Sequence, residues 1–94
     1  MDMKSKLITH KNGDEYWELP NGKMHREVGP AIVYLDGDKE WWINGKLHRE
    51  DGPAVKQKNV ENWYLNDVEY TEEEFLNSKE HKAYARGVKL KRLL

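Results

Sequence analysis

Short strands joined by tight turns are predicted along most of the chain by the pattern of its apolar and polar positions. In residues 41–48, apolar residues flank the pair Asn44-Gly45. Asn-Gly tolerates the positive φ angles that a two-residue hairpin turn requires at both central positions. This turn would place Trp42 opposite Leu47 on one face of the hairpin. The pattern therefore predicts a β-hairpin centred on residues 44–45.

Related hairpins are predicted before and after this one. The expected cross-strand pairs are Leu19 with Met24, Glu18 with His25, Trp41 with His48, Tyr64 with Glu69 and Trp63 with Tyr70. In this register, the more continuous apolar stripe is the face that carries Leu19, Trp42 and Tyr64. We therefore expect that face to form the core.

An eleven-residue segment occurs twice. Asn21–Ala31 and Asn44–Ala54 share nine identical positions, and their starts are 23 residues apart. An internal period of this length is typical of folds built by stacking copies of one small unit. Each copy ends in Gly-Pro-Ala, in which glycine and proline favour a chain reversal and the small alanine suggests close approach to a neighbour. Partial copies at both ends extend the repeated region to residues 8–70.

The C-terminal segment has a different pattern. Thr71 and Glu74 form a capping-box signature, and Gly87 is a helix-ending residue, so we predict one helix from Glu72 to about Arg86. Its predicted apolar side consists of Phe75, Leu76, Ala83 and Tyr84. The fold class is therefore mainly β, a single domain over residues 1–94: an antiparallel meander of hairpins, followed by a capping helix and a basic tail over residues 71–94.

Composition and charge exclude several classes of protein. The 94 residues include four Trp, five Tyr and no Cys, which excludes a disulfide framework and a cysteine-based zinc site. Residues 66–78 carry a net charge of −5 and residues 79–94 one of +5, so the repeated region is close to neutral. No apolar run approaches the roughly 20 residues of a membrane span, and the N-terminus lacks the apolar run of a signal peptide. We therefore expect a cytoplasmic protein.

The motif resembles MORN repeats, whose units run W-x-x-G-K-x-H-G-x-G and end in a D-G turn. The matching positions are Gly22, Lys23, His25 and Gly29 in one copy, and Trp42, Gly45, Lys46, His48 and Gly52 in the other, with Asp36, Gly37 and Trp41 matching the second half of a unit. The departures are Arg26 and Arg49, which replace a glycine, and the added Pro-Ala. The closer likeness is to a variant with the H-R-E-D-G-P-A signature in small phage and bacterial proteins. This resemblance implies an interaction scaffold and does not specify its biochemistry.

The repeated His-Arg pairs have a functional and a structural interpretation. His25, Arg26, His48 and Arg49 could form a two-fold ligand or metal site. Alternatively, each His bonds a turn carbonyl, and each Arg pairs with Glu27, Glu50 or Asp51. We favour the structural interpretation, because zinc normally takes four ligands and the sequence supplies two His with carboxylates of unknown position. No metal or cofactor is predicted.

Catalysis is not predicted either. There is no Cys nucleophile, and Ser5 and Ser78 have no evident His partner. His and Glu side chains of the repeated motif could serve as acid and base, but their repetition favours an architectural role.

Two binding functions stay open. The first is a non-catalytic protein-binding module; the phage-like signature suggests an accessory phage protein that binds and inhibits a host enzyme or defence component. The second is a single-stranded RNA- or DNA-binding protein, with bases stacked on aromatic rings and phosphates held by the basic tail. Self-association through open sheet edges is a third alternative. The candidate partner-binding residues are Trp41, Trp42, Trp63, Tyr64, His25, His48, Arg26 and Arg49. Unrepeated positions, above all Val28 against Asp51, are where a specific function is best sought.

Overall fold

A computed structural model of the protein describes residues 4–93, with side chains described up to residue 88. In chain order, the strands and helices are β1 Lys6–Thr9, β2 Glu15–Glu18, β3 Ile32–Val33, β4 Lys39–Glu40, β5 Trp42–Ile43, β6 Lys46–Leu47, β7 Val55–Gln57, β8 Val60–Leu65, β9 Val68–Tyr70, α1 Glu72–Leu76 and α2 Lys79–Leu93. Seven strands form one sheet in the order β1-β2-β3-β4-β7-β8-β9, and β5 and β6 form a separate hairpin. Every strand pair is antiparallel. The predicted mainly β meander with a C-terminal helical segment is confirmed.

Two of the three predicted hairpins have the expected register. The observed pairs include Trp42 with Leu47, Trp63 with Tyr70 and Tyr64 with Glu69. Asn44 and Gly45 adopt φ angles of 51° and 79°, as a two-residue turn of this type requires. Local turn chemistry is therefore sufficient to set these registers.

The register predicted for the first hairpin is wrong by one residue. Met24 lies opposite Glu18 instead of Leu19, and the His25 amide bonds the carbonyl of Trp17. The cause is Pro20, which has no N–H to donate and so cannot form the pair with Lys23 that Ile43 forms with Lys46 in the second hairpin. The Leu19 amide bonds the Lys23 carbonyl instead. The turn consequently contains one extra residue.

The core coincides with the predicted apolar stripe only at Leu19. The buried apolar residues are Leu19, Ala31, Ile32, Ala54, Leu65 and Phe75. Trp42 and Tyr64, the centre of the predicted stripe, are only partly buried. Alternation along β8 places Leu65 with Trp63, on the face that the sequence interpretation assigned to Trp41 and the histidines.

The alanines of the two Gly-Pro-Ala segments allow the close approach to a neighbouring strand that the sequence predicts. Ala31 and Ala54 are completely buried. Their carbonyls accept hydrogen bonds from the amides of Trp17 and Trp41, both at 2.7 Å. A larger side chain at either alanine would meet the neighbouring strand.

The C-terminal segment contains two helices instead of the predicted one. The capping box is present as predicted, with the Thr71 hydroxyl accepting from the Glu74 amide at 3.1 Å and the Glu74 carboxylate accepting from the Thr71 amide at 2.9 Å. α1 ends at Leu76, and the Ser78 hydroxyl then accepts from the His81 amide at the start of α2. Gly87 does not end the helix. Within the described residues, no helix is both long enough and apolar enough to cross a bilayer.

The apolar side of this helical segment is narrower than predicted. Phe75 is 1% exposed, whereas Leu76 and Tyr84 are 49% and 40% exposed, and Ala83 also faces solvent. A single aromatic ring therefore anchors α1 in the core, and Tyr84 stays accessible from solvent.

Candidate functional site

Each motif histidine connects its own hairpin to the turn of the next one. His25 Nδ1 accepts a hydrogen bond from the Asn44 amide at 2.9 Å, and His48 Nδ1 accepts from the Asn66 amide at 3.0 Å. The prediction of a turn carbonyl as the partner is wrong, since the partner is an amide N–H. Because Nδ1 accepts, we assign the proton of each neutral ring to Nε2.

The two Nε2 atoms have different surroundings. His48 Nε2 donates to the Glu50 carboxylate at 2.9 Å. In the first copy, the corresponding distance from His25 Nε2 to Glu27 is 3.7 Å, too long for a hydrogen bond. His25 is 4% exposed, and no described residue supplies its Nε2 with a hydrogen-bond partner. In both copies Nδ1 therefore accepts from the turn of the next hairpin, whereas among the described residues Nε2 has a hydrogen-bond partner in the second copy and none in the first.

Each motif arginine stacks on a tryptophan and bonds the proline carbonyl of its own copy. The guanidinium carbon of Arg26 lies 4.2 Å from the Trp17 ring centroid, and that of Arg49 lies 3.8 Å from the Trp41 centroid. Nη1 donates to Pro30 O at 3.2 Å in the first copy and to Pro53 O at 3.0 Å in the second. Stacking of this kind contributes roughly 0.5–1 kcal/mol at exposed sites and more where water is excluded.

A side chain at either glycine of the Gly-Pro-Ala segments would crowd the stacked guanidinium. A Cβ atom at Gly29 would lie 3.2 Å from the guanidinium carbon of Arg26, and one at Gly52 would lie 3.1 Å from that of Arg49. The glycine of Gly-Pro-Ala therefore makes room for the arginine as well as reversing the chain.

The copies differ in the partner of the arginine Nε. Arg49 Nε donates to the Asp51 carboxylate at 2.7 Å, which confirms one of the predicted ion pairs. The equivalent of Asp51 in the first copy is Val28, which is 82% exposed. Among the described residues, no carboxylate lies within ion-pair distance of Arg26.

A groove of about 550 Å³ lies between these two segments. Its lining consists of Arg26, Glu27, Val28, Gly29, Trp41, Ile43, His48, Arg49, Glu50, Asp51 and Tyr84. Helix α2 contributes Tyr84, and it is held in place by a 2.8 Å hydrogen bond between His81 Nδ1 and the Glu50 carbonyl. The groove thus combines apolar surface with charged groups from both copies.

Half of the predicted partner-binding residues meet in this groove. Arg26, Trp41, His48 and Arg49 line it, whereas His25 is buried and does not line it. The remaining predicted residues lie elsewhere and do not join the site.

Trp42 and Trp63 belong to different surfaces. Trp42 Nε1 donates to Glu40 at 2.9 Å, and Trp63 lines a second, acidic depression with Glu61 and Glu69. Tyr64 lines neither. The aromatic side chains therefore do not form one continuous platform.

Two residues of the groove wall were missed by the sequence interpretation. Ile43 occupies a strand position that the predicted hairpin already placed beside Trp41, so alternation could have indicated it. Tyr84 could not have been identified, because its position depends on the break between α1 and α2.

Glu40, the last residue of the central strand β4, joins two aromatic side chains. Its carboxylate accepts from the Tyr34 hydroxyl at 3.1 Å and from Trp42 Nε1 at 2.9 Å. Burial, reinforced by the negative charge of Glu40, raises the pKa of Tyr34 from 10.0 to about 12. The hydroxyl of Tyr34 is therefore a donor at neutral pH.

Within residues 4–88, there is no group of three or more His, Asp or Glu side chains that could hold a metal ion. Comparison of the chain with models of known protein families, with curated proteins and with solved structures gave no match.

Proposed function

We propose that the protein is a non-catalytic protein-binding module whose binding site is the groove between the two copies of the motif. The observation that carries this proposal is the groove itself, in which Trp41, Ile43 and Tyr84 provide apolar surface beside the exposed side chain of Val28. Aromatic and arginine side chains in a concave, partly apolar site are typical of protein-binding surfaces.

The hydrogen bonding of the histidines and serine favours binding over catalysis. Both ring nitrogens of His48 are engaged, one by the Asn66 amide and the other by Glu50. Ser78 donates its hydroxyl proton to the Phe75 carbonyl at 2.6 Å and accepts from the backbone of His81. A general base needs a free acceptor nitrogen near its substrate, and these side chains instead stabilise the fold.

The biological role follows from the sequence resemblance. We propose a cytoplasmic accessory protein of a phage that binds and inhibits a host enzyme or defence component through this repeat-built groove. Short stacked units commonly present extended binding surfaces, which supports an interaction role but does not identify the partner.

The alternative, binding of single-stranded nucleic acid, has less support. Arg49 covers one face of the Trp41 ring, and Trp63 lies among carboxylates that repel phosphate. The basic residues Lys89, Lys91 and Arg92 lie outside the part of the chain whose side chains are described. Salt-dependent binding of a labelled oligonucleotide that is lost with Trp63→Ala would favour this alternative.

Site-specific cross-linking in the cells that carry the gene tests the proposal. Val28 is replaced by the photoreactive residue p-benzoylphenylalanine, and Val68, exposed and outside the groove, is replaced in the same way as a matched control. We expect one discrete protein adduct from position 28 and none from position 68. The adduct should be lost with Tyr84→Ala, which removes a groove wall.

Either of two results would contradict the proposal. The first is the same adducts with the same yield from both positions, which would indicate random encounter. The second is an adduct from position 28 that persists unchanged with Tyr84→Ala, because the partner would then lie outside the groove.

A further inference from the structure

We propose that Arg26 is the recognition residue of the groove, and that it binds the side-chain carboxylate of an Asp or Glu in the partner protein. This inference rests on the proposed protein-binding function and specifies the chemistry of the partner. It is based on a comparison of the two copies, because the contacts of Arg49 in the second copy show which contacts Arg26 can make in the first.

The second copy shows what the arginine of this motif binds. Arg49 is fixed by its stack on Trp41 and by the hydrogen bond from Nη1 to Pro53, and its Nε donates to Asp51 at 2.7 Å. The carboxylate of Asp51, two residues along the chain, thus supplies the acceptor for the Nε–H group of Arg49. Charge-assisted hydrogen bonds of this type are the stronger ones in proteins.

The first copy has the same arginine without that carboxylate. Arg26 is fixed in the same way, by Trp17 and by Pro30 O, but valine stands at the position equivalent to Asp51. Within the described residues, no acidic side chain reaches Arg26. The guanidinium is therefore held in position by its surroundings, which lowers the entropic cost of binding an external carboxylate.

The surroundings of Arg26 favour a single carboxylate over a polyanion. Glu27 and Glu50 also line the groove, and Asp51 already neutralises Arg49. A nucleic-acid backbone would bring several phosphates close to these carboxylates, whereas one acidic side chain needs only the Nε edge of Arg26.

The apolar part of the groove defines the rest of the partner segment. Val28 is 82% exposed beside Arg26, and the rings of Trp41 and Tyr84 line the same groove. An apolar side chain next to the acidic residue would bury this surface when the carboxylate binds. We therefore expect the partner segment to contain an apolar residue adjacent to Asp or Glu.

The test is an NMR titration of the ¹⁵N-labelled full chain, observed at the arginine Nε–H signals. The probe is the acetylated and amidated dipeptide Leu-Glu, and the matched control is the same peptide with Gln in place of Glu. We expect the Arg26 signal to shift with the Glu peptide, and the Gln peptide to bind about tenfold more weakly, because it lacks the charge.

Exchanging the unrepeated residue between the copies gives the decisive variants. Val28→Asp supplies the missing carboxylate within the chain and should weaken peptide binding about tenfold. Asp51→Val removes it from the second copy and should make the Arg49 signal respond as well. Both positions are exposed, so the fold should be retained, and the amide spectrum of each variant checks this.

Three results would overturn the inference: no shift of the Arg26 signal, equal binding of the Glu and Gln peptides, or unchanged binding by Val28→Asp. A stronger response to inorganic phosphate or to an oligothymidylate than to the Glu peptide would also overturn it, in favour of a phosphate ligand. If any of these occurs while the position-28 adduct is still formed, the protein-binding function stands and only the carboxylate chemistry fails.

Discussion

Phe75→Ala should remove a large part of the stability of the fold. Phe75 is 1% exposed, and its ring lies 4.9 Å from the ring of His81, so it joins α1 and the start of α2 to the core. Replacing a buried Phe by Ala typically costs about 3–5 kcal/mol, out of about 5–15 kcal/mol for a whole domain. With a urea slope of about 1.5 kcal/mol/M, the unfolding midpoint should fall by roughly 2–3 M.

The assay is urea unfolding followed by tryptophan fluorescence, with Leu76→Ala as the matched control. Leu76 is the next residue in the same helix and is 49% exposed, so its truncation should cost about 1 kcal/mol or less. Alanine is a good helix former at both positions, so helix propensity does not separate the two variants. Equal losses of stability, or a loss below about 1 kcal/mol for Phe75→Ala, would refute the packing role assigned to this ring.

Four further substitutions test local features of the fold. Tyr34→Phe should remove from an absorbance titration the tyrosine that ionises at the highest pH. Because the pKa of about 12 in the folded protein exceeds the ordinary 10.0, the stability contributed by Tyr34 is complete below pH 10 and is lost as the pH rises through about 12. Ionisation of all tyrosines together near pH 10 in the folded protein would contradict the Glu40 contact. Thr71→Ala should lower the free energy of unfolding by about 1 kcal/mol through loss of the capping box, with Thr71→Ser as the control that keeps the hydroxyl. Gly45→Ala should destabilise by about 1 kcal/mol or more, because φ is 79° there and the new Cβ would lie 3.2 Å from Lys23, whereas Gly87→Ala within α2 should stabilise by roughly 0.5–1 kcal/mol. Shifts of the same sign in thermal unfolding would show that the two backbone environments are not as described.

Features set by local chemistry could be predicted from the sequence. The Asn44-Gly45 turn and the capping box at Thr71 each depend on a few neighbouring residues, and the structure confirms both. The register of the first hairpin also depends on local chemistry, because Pro20 lacks the N–H that the last pair before a two-residue turn requires. This proline displaces the pairing of the first hairpin by one residue relative to the other two.

Features set by distant contacts could not be predicted. The start of α2 is capped locally, by the Ser78 hydroxyl accepting from the His81 amide, but the position of α2 depends on the contact of the His81 ring with the distant Glu50 carbonyl. The groove depends on this docking, since it places Tyr84 opposite the first copy. The sequence indicates that the difference between Val28 and Asp51 is a place to look for a specific function. It does not indicate that this difference leaves Arg26 without a carboxylate among the described residues.

The histidine bridges give the array a direction. His25 reaches the turn at Asn44 and His48 reaches the turn at Asn66, in both cases the hairpin that comes later in the chain. At the corresponding place in the last hairpin stands Tyr70, where the forward series stops. Duplicating one 23-residue unit would preserve this series, since the Nδ1 atom of each inserted histidine would accept a hydrogen bond from an asparagine amide in the turn that follows it. Each added unit would also carry its own arginine. The residue at the position of Val28 and Asp51 would then determine whether that arginine has a carboxylate partner within the chain.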